Sequence, residues 1–216
     1  MIPKLHYITQ GDSPKQHLDN IQQACTFGAE LVQLRLKNVD EATVFNTAEK
    51  AREITSGFQT RLIINDHYKI AKAVQAEGVH LGKKDACPSE AKKHLHSWQL
   101  IGGTANSIQD CNELIEKKVD YIGLGPFRFT YTKQNLSPFL GLQKYASILK
   151  ELKTAVPIIA IGGITIQDVP ELIETGVYGI AASGTITNDF NTINRFHNIL
   201  QTAATQEQVW KPNKNA

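Results

Sequence analysis

ELVQLRLKN, residues 30–38, alternates apolar and polar side chains with the period of a half-buried strand. The apolar set is Val32, Leu34 and Leu36; the polar set is Gln33, Arg35 and Lys37. Taken alone, the stretch reads as an edge strand with one solvated face. The chain around it argues otherwise. Short runs rich in Val, Ile and Leu (LHYIT, LVQLRL, RLIIND, GVHLG, LIGGTA, YIGLGP, IIAIGG and GIAASG) alternate with longer segments of helical period, and no linker-like change in composition divides them. Such alternation marks a parallel sheet wrapped by helices. Eight units favour a closed α/β barrel, the (β/α)8 or TIM barrel, over an open doubly wound sheet. Asp40, Ser107 and Thr165 precede helical patterns as N-caps, and Gly28, Gly57 and Gly176 suit helix ends. The barrel domain is expected over residues 1–208, with 209–216 as a disordered tail.

The barrel changes the meaning of the opening stretch. Both faces of a parallel strand are covered there, one by helices and one by the packed interior. With Val32, Leu34 and Leu36 toward the helices, Gln33, Arg35 and Lys37 face inward and climb toward the C-terminal rim, where barrel active sites lie. Buried cations require an anionic partner.

Composition narrows the classes of function. At 216 residues and a formal net charge of +2, the chain is ordinary for a globular protein and gives no basis for nucleic acid or an anionic membrane as its main partner. Cys25, Cys87 and Cys111 are odd in number and lack CxxC spacing, which argues against a disulfide framework or a zinc site and for a reducing cytoplasm. The first residues, MIPKLHYITQ, lack the pattern of a signal peptide, and no apolar run approaches the roughly 20 residues of a membrane span. A homo-oligomer is left open.

Strand ends carry the chemistry. Asp66 and Asp85 follow the third and fourth strands, and two carboxylates with substrate phosphates suit Mg²⁺, although either Asp alone reads equally as a helix cap. Gly162 and Gly163 after strand seven, and Ser183 and Gly184 after strand eight, suit backbone binding of a phosphate. GPFRFTYTK sets Thr130 and Thr132 beside Lys133 in a long loop that suits an anion or a lid. The set implies two anionic groups. His67 and His80 read as structural histidines, since no HxxxH spacing suggests a metal.

The series QLRLK, LIINDH, GVHLGKKD, YIGLGPFRFTYTK, IIAIGGI and GIAASGTI, spread in this order between Leu5 and about Ile186, resembles the thiamine phosphate synthase family. The resemblance implies a transferase of thiamine biosynthesis that condenses 4-amino-2-methyl-5-hydroxymethylpyrimidine diphosphate with hydroxyethylthiazole phosphate, releasing pyrophosphate. It implies that Arg35, Lys37 and Lys133, with Asn65, hold the diphosphate, and that Asp66 and Asp85 hold its Mg²⁺. It further implies Gln33 on the pyrimidine, Thr104 in the substrate-binding set, and Thr130, Thr132, Gly163, Ser183 and Gly184 on the thiazole phosphate. Thr104 stands where the family usually has Ser, Asn106 where His is common, Lys83 where Gln is common, and Ser183-Gly184 where Ile-Ser is typical. ITQGD replaces the usual aspartate directly after the first strand's threonine. Two alternatives are a thiazole tautomerase of the same fold and a non-catalytic phosphate-binding barrel. Asn106 weighs against the first, because an amide cannot shuttle a proton.

Overall fold

The structure, a computed structural model, describes residues 1–129 and 138–207, with side chains through residue 200. Its strands are β1 (Leu5–Ile8), β2 (Leu31–Leu34), β3 (Arg61–Asn65), β4 (Gly78–Leu81), β5 (Leu100–Ala105), β6 (Tyr121–Leu124), β7 (Ile158–Ile161) and β8 (Gly179–Ala182). Each pairs in parallel with the next, and β8 returns to β1 to close an eight-stranded (β/α)8 barrel. The register places Tyr7 opposite Val32, Ile8 opposite Gln33, and Leu5 opposite Ile180.

The helices on the outside are α1 (Pro14–Thr26), α2 (Glu41–Gly57), α3 (Tyr68–Ala73), α4 (Pro88–His94), α5 (Ile108–Glu116), α6 (Gly141–Glu151), α7 (Val169–Glu174), α8 (Gly184–Asn188) and α9 (Thr192–Glu207). Three begin where the sequence supplies a cap. Asp40 accepts from the Thr43 N–H at 2.8 Å, Ser107 accepts from the Asp110 N–H at 3.2 Å, and Thr165 forms a capping box with Asp168 across a 3-10 turn. Gly28 and Gly176 take the left-handed conformation after α1 and α7 (φ 86° and 97°). Gly57 does not: α2 runs through it, and the left-handed residue beyond is Gln59 (φ 57°). Among the described residues no helix is long and apolar enough to cross a membrane.

Alternation along the strands builds two cores. Leu5, Tyr7, Val32, Leu34, Leu62 and Ile64 join the large cluster between sheet and helices, and each fully buried Leu or Ile there contributes roughly 1.5–3 kcal/mol. Ile8, Tyr121, Ile159 and Ala181 form a smaller cluster inside the barrel. The opening stretch keeps this parity, with a difference in extent. β2 ends at Leu34, because the Arg35 N–H donates to the Thr9 side-chain oxygen at 3.1 Å, and the chain then turns through Asn38 (φ 60°). Arg35 and Lys37 therefore project from a loop, and Lys37 lies beyond the barrel interior with its side chain 42% exposed.

His6 is buried inside the barrel, where its Nε2–H donates to the Pro3 carbonyl at 3.1 Å. Burial first, and the neighbouring His80 second, hold its pKa down to about 3, against an ordinary 6.5. A base depressed in this way stays neutral in the fold while the unfolded chain takes up the proton. Stability is therefore lost as pH falls from about 6.5 toward 3. His6→Gln should flatten this acid limb: its urea midpoint should drop less than that of the wild type between about pH 6.5 and pH 4.

Candidate active site

The C-terminal rim surrounds a cavity of about 350 Å³. One wall carries Gln33, Arg35, Asn65, His80, Thr104 and Asn106; the opposite wall is largely backbone, from Gly162 and Gly163 to Ser183 and Gly184. A groove of about 730 Å³ continues outward past Arg35 and Lys37 to Phe129.

The polar wall is tightly arranged, with one exception. Gln33 and Asn65 are both buried, and Asn65 Nδ2 has no hydrogen-bond partner among the described residues. A donor left in that state costs about 1–3 kcal/mol. Its cost is recovered only if an acceptor enters the cavity. Arg35 is substantially buried, which lowers its pKa, and the Asp66 carboxylate works in the opposite sense.

Asp66 sits at the end of β3 in the left-handed region (φ 65°), a conformation that Asp tolerates better than most residues. It does not cap α3, whose N-cap position is His67. Its carboxylate is ion-paired with Lys37 and hydrogen-bonded to Asp85. Burial would raise the Asp66 pKa, but the contacts with Asp85 and Lys37 outweigh it and the net shift is downward. Asp85 moves up, through burial and then through the Asp66 carboxylate beside it, so the pair shares a proton that Asp85 holds. Asp85 also accepts from the Gly82 N–H at 2.7 Å, which orients it, while the cap position of α4 belongs to Cys87. Among the described residues no cluster of three or more His, Cys, Asp or Glu could hold a metal by itself. Two adjacent carboxylates that must share a proton nevertheless fit Mg²⁺, which takes one or two carboxylates and completes its shell with phosphate and water.

The backbone wall differs in detail from expectation. A Cβ at Gly163 would lie 2.5 Å from Arg128 Cγ, and one at Gly162 would lie 2.6 Å from Pro126 Cβ. These glycines admit the chain's own loop after β6. Arg128 crosses over Gly163, stacks 4.9 Å from the Phe127 ring and pairs with Asp168. At Gly184 the nearest atoms belong to Gln10, 3.8 Å away, so close approach from the cavity is open there. The Ser183 hydroxyl donates to Gln10 Oε1 at 3.3 Å. Thr130, Thr132 and Lys133 lie outside the described residues.

Three features went unread in the sequence. His80, taken as structural, lines the cavity and lies 2.9 Å from the Thr104 hydroxyl; its inward parity on β4, matching that of Gln33 on β2, was the available signal. Gln10 touches Ser183, and α8 follows β8 at once, where a helix was expected only from about residue 191.

The comparisons with known proteins agree with this geometry. The family model described as thiamine monophosphate synthase matches residues 5–186. The chain belongs to the thiamine monophosphate synthase family. The thiamine-phosphate synthase of Flavobacterium johnsoniae is 44% identical over 190 residues, covering 87% of this chain and 90% of the relative. That of Phocaeicola vulgatus is 42% identical over 186 residues, covering 85% and 89%. The solved thiamine phosphate pyrophosphorylase of Pyrococcus furiosus superposes with a TM-score of 0.76 at 25% identity, covering 95% and 96% of the two chains. 3-Hexulose-6-phosphate synthase, at 13% identity and a TM-score of 0.65, shares the fold alone. Membership makes this chain a transferase that forms thiamine phosphate from small-molecule substrates.

The unsatisfied amide yields a test. If Asn65 serves a ligand, Asn65→Leu should leave the urea midpoint unchanged or slightly raised while affinity for inorganic pyrophosphate with Mg²⁺ falls at least about tenfold by calorimetry. A large loss of stability with affinity retained would make Asn65 a structural residue.

Proposed function

We propose that the cavity joins 4-amino-2-methyl-5-hydroxymethylpyrimidine diphosphate to hydroxyethylthiazole phosphate by a dissociative route, with Mg²⁺ at Asp66 and Asp85. The observation that carries this reading is the Asn65 amide, a buried donor lacking a partner among the described residues, in the same cavity as Arg35. Such a pair of donors suits the diphosphate oxygens. Lys37 reaches the Asp66 carboxylate from the rim, and Lys133 completes the cationic set. Gln33 reads the pyrimidine, with Thr104 beside it. Ser183 and Gly184, with Gly163, Thr130 and Thr132, take the thiazole phosphate; the open approach at Gly184 supports this side of the site.

In this reading the C–O bond to pyrophosphate breaks first, and the thiazole nitrogen captures the resulting pyrimidine cation. The residues need only stabilise charge that grows on the leaving group and hold the acceptor in line, worth several kcal/mol for each well-placed donor. When bound, Mg²⁺ would neutralise part of the diphosphate charge. Arg35 and Asn65 donate to the departing oxygens from inside, and the glycine-rich wall fixes the acceptor opposite. Asn106 supports a synthase over a tautomerase: its amide donates to the Gly125 carbonyl and offers no proton shuttle. Three free thiols, two of them buried, support a reducing cytoplasm, and residues 1–208 form the one barrel domain of this proposal.

The direct test mixes purified protein, both phosphorylated substrates and Mg²⁺ and measures thiamine phosphate and pyrophosphate in equal amounts. Asp66→Asn and Asp85→Asn should each lower turnover at limiting Mg²⁺ at least about tenfold and weaken Mg²⁺ binding in the presence of pyrophosphate. Wild-type values in both measurements would remove the metal assignment.

Gly184→Val separates the two ends of the cavity. It should raise KM for the thiazole phosphate at least about tenfold and leave KM for the diphosphate within about twofold. Equal changes in both constants would move the thiazole phosphate elsewhere.

A further inference from the structure

Beneath the cavity four polar side chains form one continuous line. The Gln33 amide hydrogen-bonds the Tyr121 phenol, Tyr121 Oη lies 3.2 Å from His80 Nδ1, and His80 Nε2 lies 2.9 Å from Thr104 Oγ1. Gln33, His80 and Thr104 line the cavity, whereas Tyr121 lies under it, 1% exposed. The barrel is built around this phenol. A Cβ at Gly102 would fall 2.1 Å from Tyr121 Cζ, and one at Gly123 would fall 3.1 Å from His80 Cε1. His6 packs edge-on to the Tyr121 ring at 5.1 Å, and His80 stacks on it at 5.5 Å. Nothing in the reaction described above uses this buried hydroxyl.

A phenol has one proton to give, so the line can be ordered in only two directions. Burial raises the Tyr121 pKa and keeps that proton in place, while the Gln33 amide offsets part of the shift, as an N–H donating to the phenol oxygen does. The Tyr121 proton then goes to His80 Nδ1. His80 keeps its own proton on Nε2 and donates it to Thr104 Oγ1, which leaves the Thr104 proton for the cavity. At the other end one Gln33 N–H is committed to Tyr121, so the amide cannot flip, and Oε1 is left for the ligand.

We propose that Tyr121 is a positioning residue that fixes the hydrogen-bond polarity of the pyrimidine pocket, with Gln33 as acceptor and Thr104 as donor, so that the site selects a 4-aminopyrimidine over its 4-oxo counterpart. The proposal rests on the assignment of Gln33 to the pyrimidine. A 4-amino group donates where a 4-oxo group accepts, and the adjacent ring nitrogen changes from acceptor to donor. The oxo ring would set oxygen against Gln33 Oε1 and leave a buried polar pair unmatched.

The test is calorimetric titration, with Mg²⁺ and without the thiazole, of the 4-amino diphosphate, the 4-oxo diphosphate and inorganic pyrophosphate. The wild type should prefer the amino compound at least about 100-fold. Tyr121→Phe keeps the ring but removes the hydroxyl, and should cut this preference to within about tenfold while pyrophosphate affinity stays unchanged, a split that loss of packing would not produce. Thr104→Val should lose preference similarly, and Thr104→Ser should retain it. Full preference in folded Tyr121→Phe overturns the proposal; should that variant fail to fold, full preference in Thr104→Val does so. Gln33→Ala distinguishes the two layers. Preference retained there sinks the pyrimidine assignment and this proposal with it, whereas preference lost there but kept in Tyr121→Phe sinks only the role of the phenol.

Discussion

In a closed parallel barrel no strand residue has a third place to go. Each side chain faces either the helices or the interior, and successive residues must alternate, so the fate of one position fixes that of its neighbours. Once Val32 and Leu34 are committed to the sheet–helix core, Gln33 is committed to the inside. The same parity carries His6, Asn65, His80 and Thr104 inward from four other strands. An interior stocked this way is too polar to be simple filling. It holds only because its hydrogen bonds are mutually satisfied, and the Asn65 amide, which has no partner among the described residues, marks where the arrangement opens toward a ligand.

Charge at the rim follows a related logic. Arg35, Lys37, Asp66 and Asp85 sit close enough to shift one another, and the two carboxylates are held in hydrogen-bond contact at the cost of sharing a proton. Such crowding is unfavourable in an empty protein and favourable around a multiply charged ligand. Strain of this kind is common where binding energy is to be directed at a leaving group. The loop that carries Arg35 is tied down independently, since its backbone N–H is held by Thr9, whose hydroxyl also meets His17 at 2.7 Å.

Much of the fold was legible because the signals were local. Apolar runs, helical periods and caps such as Asp40 and Ser107 need only neighbours in sequence. The end of β2 was not legible, because the group that draws the chain out of the sheet is a hydroxyl on another strand. Gly162 and Gly163 show the same limit: their sequence suits a phosphate loop, but the atoms that need the space belong to Pro126 and Arg128. His80 was readable in principle, since the parity argument used for Gln33 applies to GVHLG without change. α8 was hidden because a short helix directly after a strand leaves no room for a periodic pattern.

The exchange of bulk between Gly102 and Tyr121 limits how this pocket can be redesigned. The ring occupies volume that the facing strand has given up, so shrinking Tyr121 opens a void in the barrel axis, and enlarging Gly102 drives a side chain into the ring. Neither change alone is a small step in sequence space. A route to a larger or differently shaped aromatic substrate would need paired substitutions on β5 and β6, made in concert. The outer rim tolerates change more readily, since Lys37 and Phe129 stand in solvent and do not support the barrel. Substrate range can therefore drift at the mouth of this enzyme, while the identity of the ring at its base is held by two strands that must vary together.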